Sequence, residues 1–123
     1  MTKVRFTIGE IEVRSEWNDS ETARRLAEKL PFEASGNYWG AEFYFETPVA
    51  VARAKDARDV VEPGAVAYWP DGHCLCLFWG PTPVSQGSEC RAASKVNIVG
   101  RVVNAEVLPK LKGRKVKVER WDQ

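Results

Sequence analysis

The sequence predicts a mainly β domain whose strands curl into a closed or nearly closed antiparallel barrel, and three observations carry that expectation. Short runs of alternating apolar and polar residues recur along the chain, roughly eight of them, at the spacing of an all-β domain. Gly, Pro and Asp-rich turns separate most of these runs, and a single stretch carries helical periodicity. The third is the segment Glu62 to Pro83, EPGAVAYWPDGHCLCLFWGPTP, in which Pro63-Gly64 and Pro70-Asp71-Gly72 bracket Ala65 to Trp69 and lead into His73 to Trp79. Both runs are too short, and too rich in turn residues at their ends, for helices, so the segment reads as a β-hairpin.

The remaining elements follow in order. Val4, Phe6 and Ile8 alternate with polar residues, Gly9-Glu10 turns the chain, and Ile11 and Val13 continue the alternation. Gly at the first turn position suits a two-residue type II′ hairpin. Asn18 to Leu30 places Ala23, Leu26, Ala27 and Leu30 at helical spacing, with Asn18 as a cap, Glu21 three residues later and Pro31 as a stop. Its narrow apolar stripe fits a helix that covers one end of a sheet.

From Phe32 to Val51 strand alternation returns, with Phe43 and Phe45 opposed to Glu42, Tyr44 and Glu46, and with Gly36, Gly40 and Pro48 as corners or bulges. Ala52 to Val61 fits a short helix or an exposed loop equally well. Gly80 to Ser94 reads as a long ordered loop, and Val96 to Val103 as a strand interrupted by Gly100. Asn104 to Leu111 allows a turn or two of helix limited by Pro109. The last strand alternates Val116 and Val118 with Lys115, Lys117 and Glu119.

Composition narrows the class. A chain of 123 residues is expected to form one domain, 1–123, and to bury about two thirds of its unfolded surface. The 18 basic and 17 acidic side chains nearly cancel, which argues against a nucleic-acid partner. The N-terminal residues enter a strand without signal-peptide character and no apolar run reaches membrane-spanning length, so a cytoplasmic protein without a membrane partner is expected. Cys74, Cys76 and Cys90 are an odd set of thiols, best read as small buried apolar residues. Cys74 and Cys76 share a strand face, but Cys-x-Cys lacks zinc-site spacing and His73 faces the other way, so no metal and no cofactor is expected.

Several strings together resemble the cyclophilin-like fold, and more closely a family of small prokaryotic cyclophilin-like proteins of unassigned function. They are LPFE at Leu30 to Glu33, NYWGAEFYFETPV at Asn37 to Val49, GAVAYWPDG at Gly64 to Gly72, LCLFWGPTP at Leu75 to Pro83 and ASKVNIVGRV at Ala93 to Val102. The resemblance spans nearly the whole chain and implies a closed eight-stranded antiparallel barrel with one or two short helices capping its ends. Cyclophilins proper are peptidyl-prolyl isomerases, in which an arginine assists rotation about an imide bond whose barrier is about 18–20 kcal/mol. Here the matching region, Asn37 to Pro48, holds no arginine, Val96 stands where those enzymes have histidine, and Arg91 stands near where many have tryptophan. No catalytic residue is therefore assigned.

What the resemblance implies is a groove. Tyr68, Trp69 and Pro70 fall along its wall, Phe78 or Trp79 takes the place of a pocket aromatic according to strand parity, and Arg91 is the candidate replacement for the absent cation. The same aromatics equally suit core packing. The leading expectation is a protein that binds a small apolar ligand or an extended peptide; an atypical prolyl isomerase and a homodimer or interaction module using the same surface are the alternatives. Among single residues, His73 reads as an exposed residue after a turn, and Glu42 and Glu46 lie too far apart along a strand, roughly 13 Å, to pair as acid and base. The six basic residues between Lys110 and Arg120 read as the protected face of an edge strand.

Overall fold

The computed structural model describes residues 1–121. Its elements are β1 (Thr2–Ile8), β2 (Ile11–Trp17), the helix α1 (Glu21–Ala27), β3 (Phe32–Tyr38), β4 (Glu42–Glu46), β5 (Arg58–Val61), β6 (Ala65–Trp69), β7 (Cys74–Phe78), β8 (Cys90–Val102), a 3₁₀ turn (Ala105–Lys110) and β9 (Lys115–Arg120). The structure is mainly β, and every strand pairing is antiparallel. Hydrogen bonding runs β2-β1-β9-β3-β4-β7-β6-β8, and β8 returns to β2 through Ser15, Glu16 and Trp17, so eight strands form a ring. β5 stands outside that ring, paired with the first half of β8.

Alternation decides what fills the ring. Val4, Phe6 and Ile8 of β1, Val13 and Trp17 of β2, Phe43 and Phe45 of β4, Val66 and Tyr68 of β6, Leu75 and Leu77 of β7 and Val116 and Val118 of β9 form one buried cluster. Leu26 of α1 and Leu108 of the 3₁₀ turn join it. α1 follows the C-terminal end of β2, whereas Asn104, just before the 3₁₀ turn, binds the backbone at its other end, accepting from Arg14 N and donating to Glu12 O. The two short helical pieces thus plug opposite mouths.

β6 and β7 are buried on both faces, which is why they read as continuous apolar runs. Their outward residues, Ala65, Ala67, Cys74, Cys76 and Phe78, form a second cluster with Val61 of β5 and Cys90, Ala92 and Val96 of β8. β8 is long enough to serve both. Residues 97–102 complete the ring against β6 and β2, and residues 90–96 fold over the outer face with β5.

Several expectations need correction. The helix is shorter than Asn18 to Leu30, and its cap is Ser20, whose hydroxyl accepts from Ala23 N; Asn18 instead accepts from Ser20 and donates to Ile98 O. Ala52 to Val61 is neither helix nor simple loop, because its end is β5 and its start is held by Asn97, which accepts from Ala54 N and donates to Ala52 O. The long loop ends at Glu89, since β8 begins at Cys90 rather than Val96. Finally, β9 is no edge strand: it lies between β1 and β3, and its lysines project from the outside of the ring. Among the described residues no helix is long and apolar enough to cross a membrane.

Closure of the ring leaves little room at Gly100. A Cβ there would press on Glu16 O and lie 2.8 Å from Trp17 Cα, both backbone atoms. Gly100→Ala is therefore expected to destabilise the fold by about 2 kcal/mol through overpacking, read as a lowered urea midpoint with an unchanged slope.

Candidate functional site

The outer face of β4, β7 and β6 is not completely sealed by β8. Beside its first half remains a cleft of about 240 Å³ walled by Trp39, Tyr44 and Trp69, floored by Glu42 and Cys76, and edged by Ala92, Ala93 and Val96. Strand parity explains the floor. Glu42 and Tyr44 alternate with the inward Phe43 and Phe45, and β4 pairs β7 with Tyr44 opposite Cys76, which brings Glu42 and Cys76 onto the same outward face.

The walls are held by local geometry. Trp39 sits in the β3–β4 turn, where Gly40 adopts φ +62°, a left-handed conformation that favours glycine. Trp39 N donates to Glu42 O, and Ala41 N donates to Pro81 O, so the turn is tied both to its own strand and to the loop after β7. Trp69 Nε1 donates to Ser94 Oγ at 2.6 Å, and Ser94 Oγ donates in turn to Asp71 Oδ2 at 2.6 Å. The indole ring lies against Gly72, where any Cβ would collide with it. Trp69 is thereby fixed between the β6–β7 turn and β8.

Glu42 is the unusual member. It is only 5% exposed, its Oε1 is buried without a hydrogen-bond partner, and it has no ion-pair partner among the described residues. Burial pushes its carboxyl up to about 7, and a side-chain hydrogen bond from the neighbouring Cys76 thiol pulls the other way. Cys76 is itself pushed well above the ordinary thiol range, by burial first and by Glu42 second. A carboxyl in this setting changes charge near neutrality, donating a hydrogen bond when protonated and offering a buried negative charge when not. The thiol stays neutral and is a poor nucleophile.

Of the residues expected to line a groove, only Trp69 reaches this cleft. Tyr68 has the opposite parity and is fully buried inside the ring, where its hydroxyl donates to Val49 O and accepts from Val51 N. Phe78 faces outward but is buried beneath the second cluster, and Trp79 packs against the ring interior. Pro70 belongs to the turn after β6, and its carbonyl accepts from His73 N. Arg91 is held away by Glu89 Oε2 at 2.6 Å and Asp59 Oδ2 at 3.0 Å, which order the preceding loop and tie it to β5. His73 is exposed, with φ +55° in the hairpin turn. Among the described residues no group of three or more His, Cys, Asp or Glu is placed to hold a metal ion.

Trp39, Tyr44, Glu42 and Cys76 were not singled out as a set by the sequence. A signal was present in the string CLCLF: apolar residues at both parities mean that the outer face of β7 is covered, so an acid on the adjoining strand's outer face is trapped beneath the same cover. Using it requires knowing that β4 neighbours β7, which only the pairing shows.

Two further clefts, each of about 590 Å³, lie elsewhere. One is lined in part by Asn18, Asn97, Arg58 and Arg101, and the other by Glu33, Lys115 and Lys117. In the first, the Asn18 and Asn97 side chains are already engaged with the protein's own groups. Among the described residues neither has a buried side-chain nitrogen or oxygen left without a partner, whereas the smaller cleft does.

A family model described as cyclophilin-like matches residues 2–119. The solution structure of a hypothetical protein from Archaeoglobus fulgidus is 40% identical in sequence and superposes with a TM-score of 0.82, covering 98% of this chain and 95% of that one. No curated protein matches the chain.

The raised carboxyl value has a stability consequence with a definite sign. Below pH 4.5 Glu42 is protonated in both folded and unfolded chains; between 4.5 and about 7 the unfolded chain loses the proton first, so folding stability falls as pH rises through this window. The loss attributable to this one group amounts to about 3 kcal/mol by pH 8. Glu42→Gln is expected to remove that component, so that the stability difference between variant and parent, measured by urea unfolding at pH 4 and pH 8, shifts in favour of the variant as pH rises.

Proposed function

The chain belongs to the cyclophilin-like family, and on that premise we propose that it is a cyclophilin-like barrel that binds a small, largely apolar ligand, or one side chain of an extended peptide, in the cleft between Trp39, Tyr44 and Trp69. The observation that carries this reading is Glu42 Oε1, a buried polar atom left without a partner on the floor of an otherwise apolar hollow. Native proteins leave few such atoms, and each has a stability cost that a bound group would offset.

Size sets the class of ligand. Pockets for drug-sized molecules run to roughly 300–1,000 Å³, so a hollow of about 240 Å³ suits a headgroup or a single side chain. Turnover of prolyl bonds is not part of the proposal. An isomerase uses a cation over the twisting imide, and the walls of this cleft include neither arginine nor lysine. Arg91, adjacent in sequence to Ala92, is committed to Glu89 and Asp59.

Binding is expected to perturb a confined set of NMR signals, the indole N–H groups of Trp39 and Trp69 and the amides of Ala92 and Ala93, during titration with short peptides and small apolar fragments. Trp69→Ala should weaken it at least tenfold. Perturbations that map to the Asn97 cleft instead, or none at millimolar ligand, would overturn the reading. A protease-coupled assay is expected to show prolyl isomerisation at the uncatalysed rate; acceleration would reveal that occupancy leads to turnover.

A further inference from the structure

The chemistry of the cleft selects one kind of occupant. Its lining side chains include two indoles, a phenol, a thiol and a carboxyl, with Ala92, Ala93 and Val96 besides. None is cationic. The indole N–H of Trp69, which would otherwise serve as a donor toward an anion, is already given to Ser94. Aromatic faces carry negative potential and attract cations, most strongly where water is excluded.

Glu42 completes the pattern, because this buried carboxyl has no lysine or arginine partner among the described residues to supply a positive charge. The ionisable groups around it offer none. Its own strand presents Tyr44 and Glu46 on the same face and β7 presents Cys74 and Cys76, while β6 contributes Trp69 and β8 contributes Ala92, Ala93 and Val96. The unsatisfied atom and the aromatic walls are independent features, and they agree in sign.

We infer that the cleft is a cage for an organic ammonium group, with Trp39, Tyr44 and Trp69 enclosing its alkyl-substituted nitrogen and the Glu42 carboxylate supplying the countercharge. The inference rests on the binding role proposed above and deepens it by naming the ligand class. A methylated ammonium joins an apolar surface to a diffuse positive charge, which reconciles an apolar hollow with an ionisable floor. Binding such a cation stabilises the carboxylate, so below neutrality the Glu42 proton passes to the buffer as the cation enters.

Calorimetry with choline and with its uncharged carbon isostere, 3,3-dimethylbutan-1-ol, tests this. Choline is expected to bind at least tenfold more tightly, with an affinity that rises between pH 5 and pH 8 and a heat at pH 6 that depends on the buffer's ionisation enthalpy. Glu42→Gln should cut choline binding at least tenfold and leave the alcohol's affinity within twofold; Trp39→Leu, which keeps the carboxyl but removes a π face, should also favour the alcohol. Equal binding of the two probes, or choline affinity that falls with rising pH, overturns the ammonium assignment and leaves the cleft as an apolar site. Failure of both probes, together with silence of the Trp39 and Trp69 indole signals toward peptides, overturns the binding reading as well.

Discussion

β8 has to belong to two sheets at once, and most of what is distinctive in this protein follows from that demand. Its second half supplies the hydrogen bonds that join β6 to β2 and complete the ring, and its first half pairs with β5 and covers the outside of β6 and β7. A strand cannot do both while straight. The pairing shifts register between Val66 and Ala67 opposite Ile98 and Gly100, and Gly100 lets β2 approach more closely than any side chain would allow. Closure of the ring and coverage of its outer face are therefore coupled through one short stretch of backbone.

Coverage on the outside changes the meaning of the residues beneath it. In a sheet with one wet face, Glu42 would be an ordinary solvated acid. Here the first half of β8 and Trp69 close over it, water is displaced, and the carboxyl becomes hard to ionise. The same cover keeps Cys74, Cys76 and Cys90 apolar in character, their thiols all pushed up by burial. The cover is incomplete where the small side chains of Ala92 and Ala93 meet the large ones of Trp39, Tyr44 and Trp69, and that mismatch of size is the cleft. Its walls are held by hydrogen bonds from separate elements, the Ser94–Asp71 relay at Trp69 and the Pro81 carbonyl behind Trp39, so the hollow is shaped by the fold itself.

How far the fold could be read depended on whether local chemistry or distant pairing governed each element. The hairpin over Gly9-Glu10, the β6–β7 hairpin and the inward alternation of Phe43 with Phe45 and Val116 with Val118 were legible because a strand's period and a turn's residues are local properties. The helix was legible too, although Ser20 displaced Asn18 as its cap because Asn18 is drawn to Ile98 O, 80 residues away. β5 escaped because Arg58 to Val61 has too little alternation to announce a strand; it is one only because Cys90 to Val96 offers a partner. The groove aromatics divided by parity: Tyr68 and Trp69 are adjacent and so point to opposite sides, one into the ring and one into the cleft.

By itself, then, the sequence determined the class of the protein, the places where the chain turns, the buried faces of β1, β4 and β9 and the excess of aromatic surface near β6 and β7. These follow from steric limits on the backbone and from the two-residue repeat, which act between near neighbours. Only the tertiary structure decided that β9 lies inside the ring rather than at an edge, that Arg91 is spent on Glu89 and Asp59, and that Glu42 lies beneath Trp39 and Trp69. Those outcomes depend on which strands meet and in what register. Such choices are made by burial summed over residues far apart in the chain, so no local pattern records them.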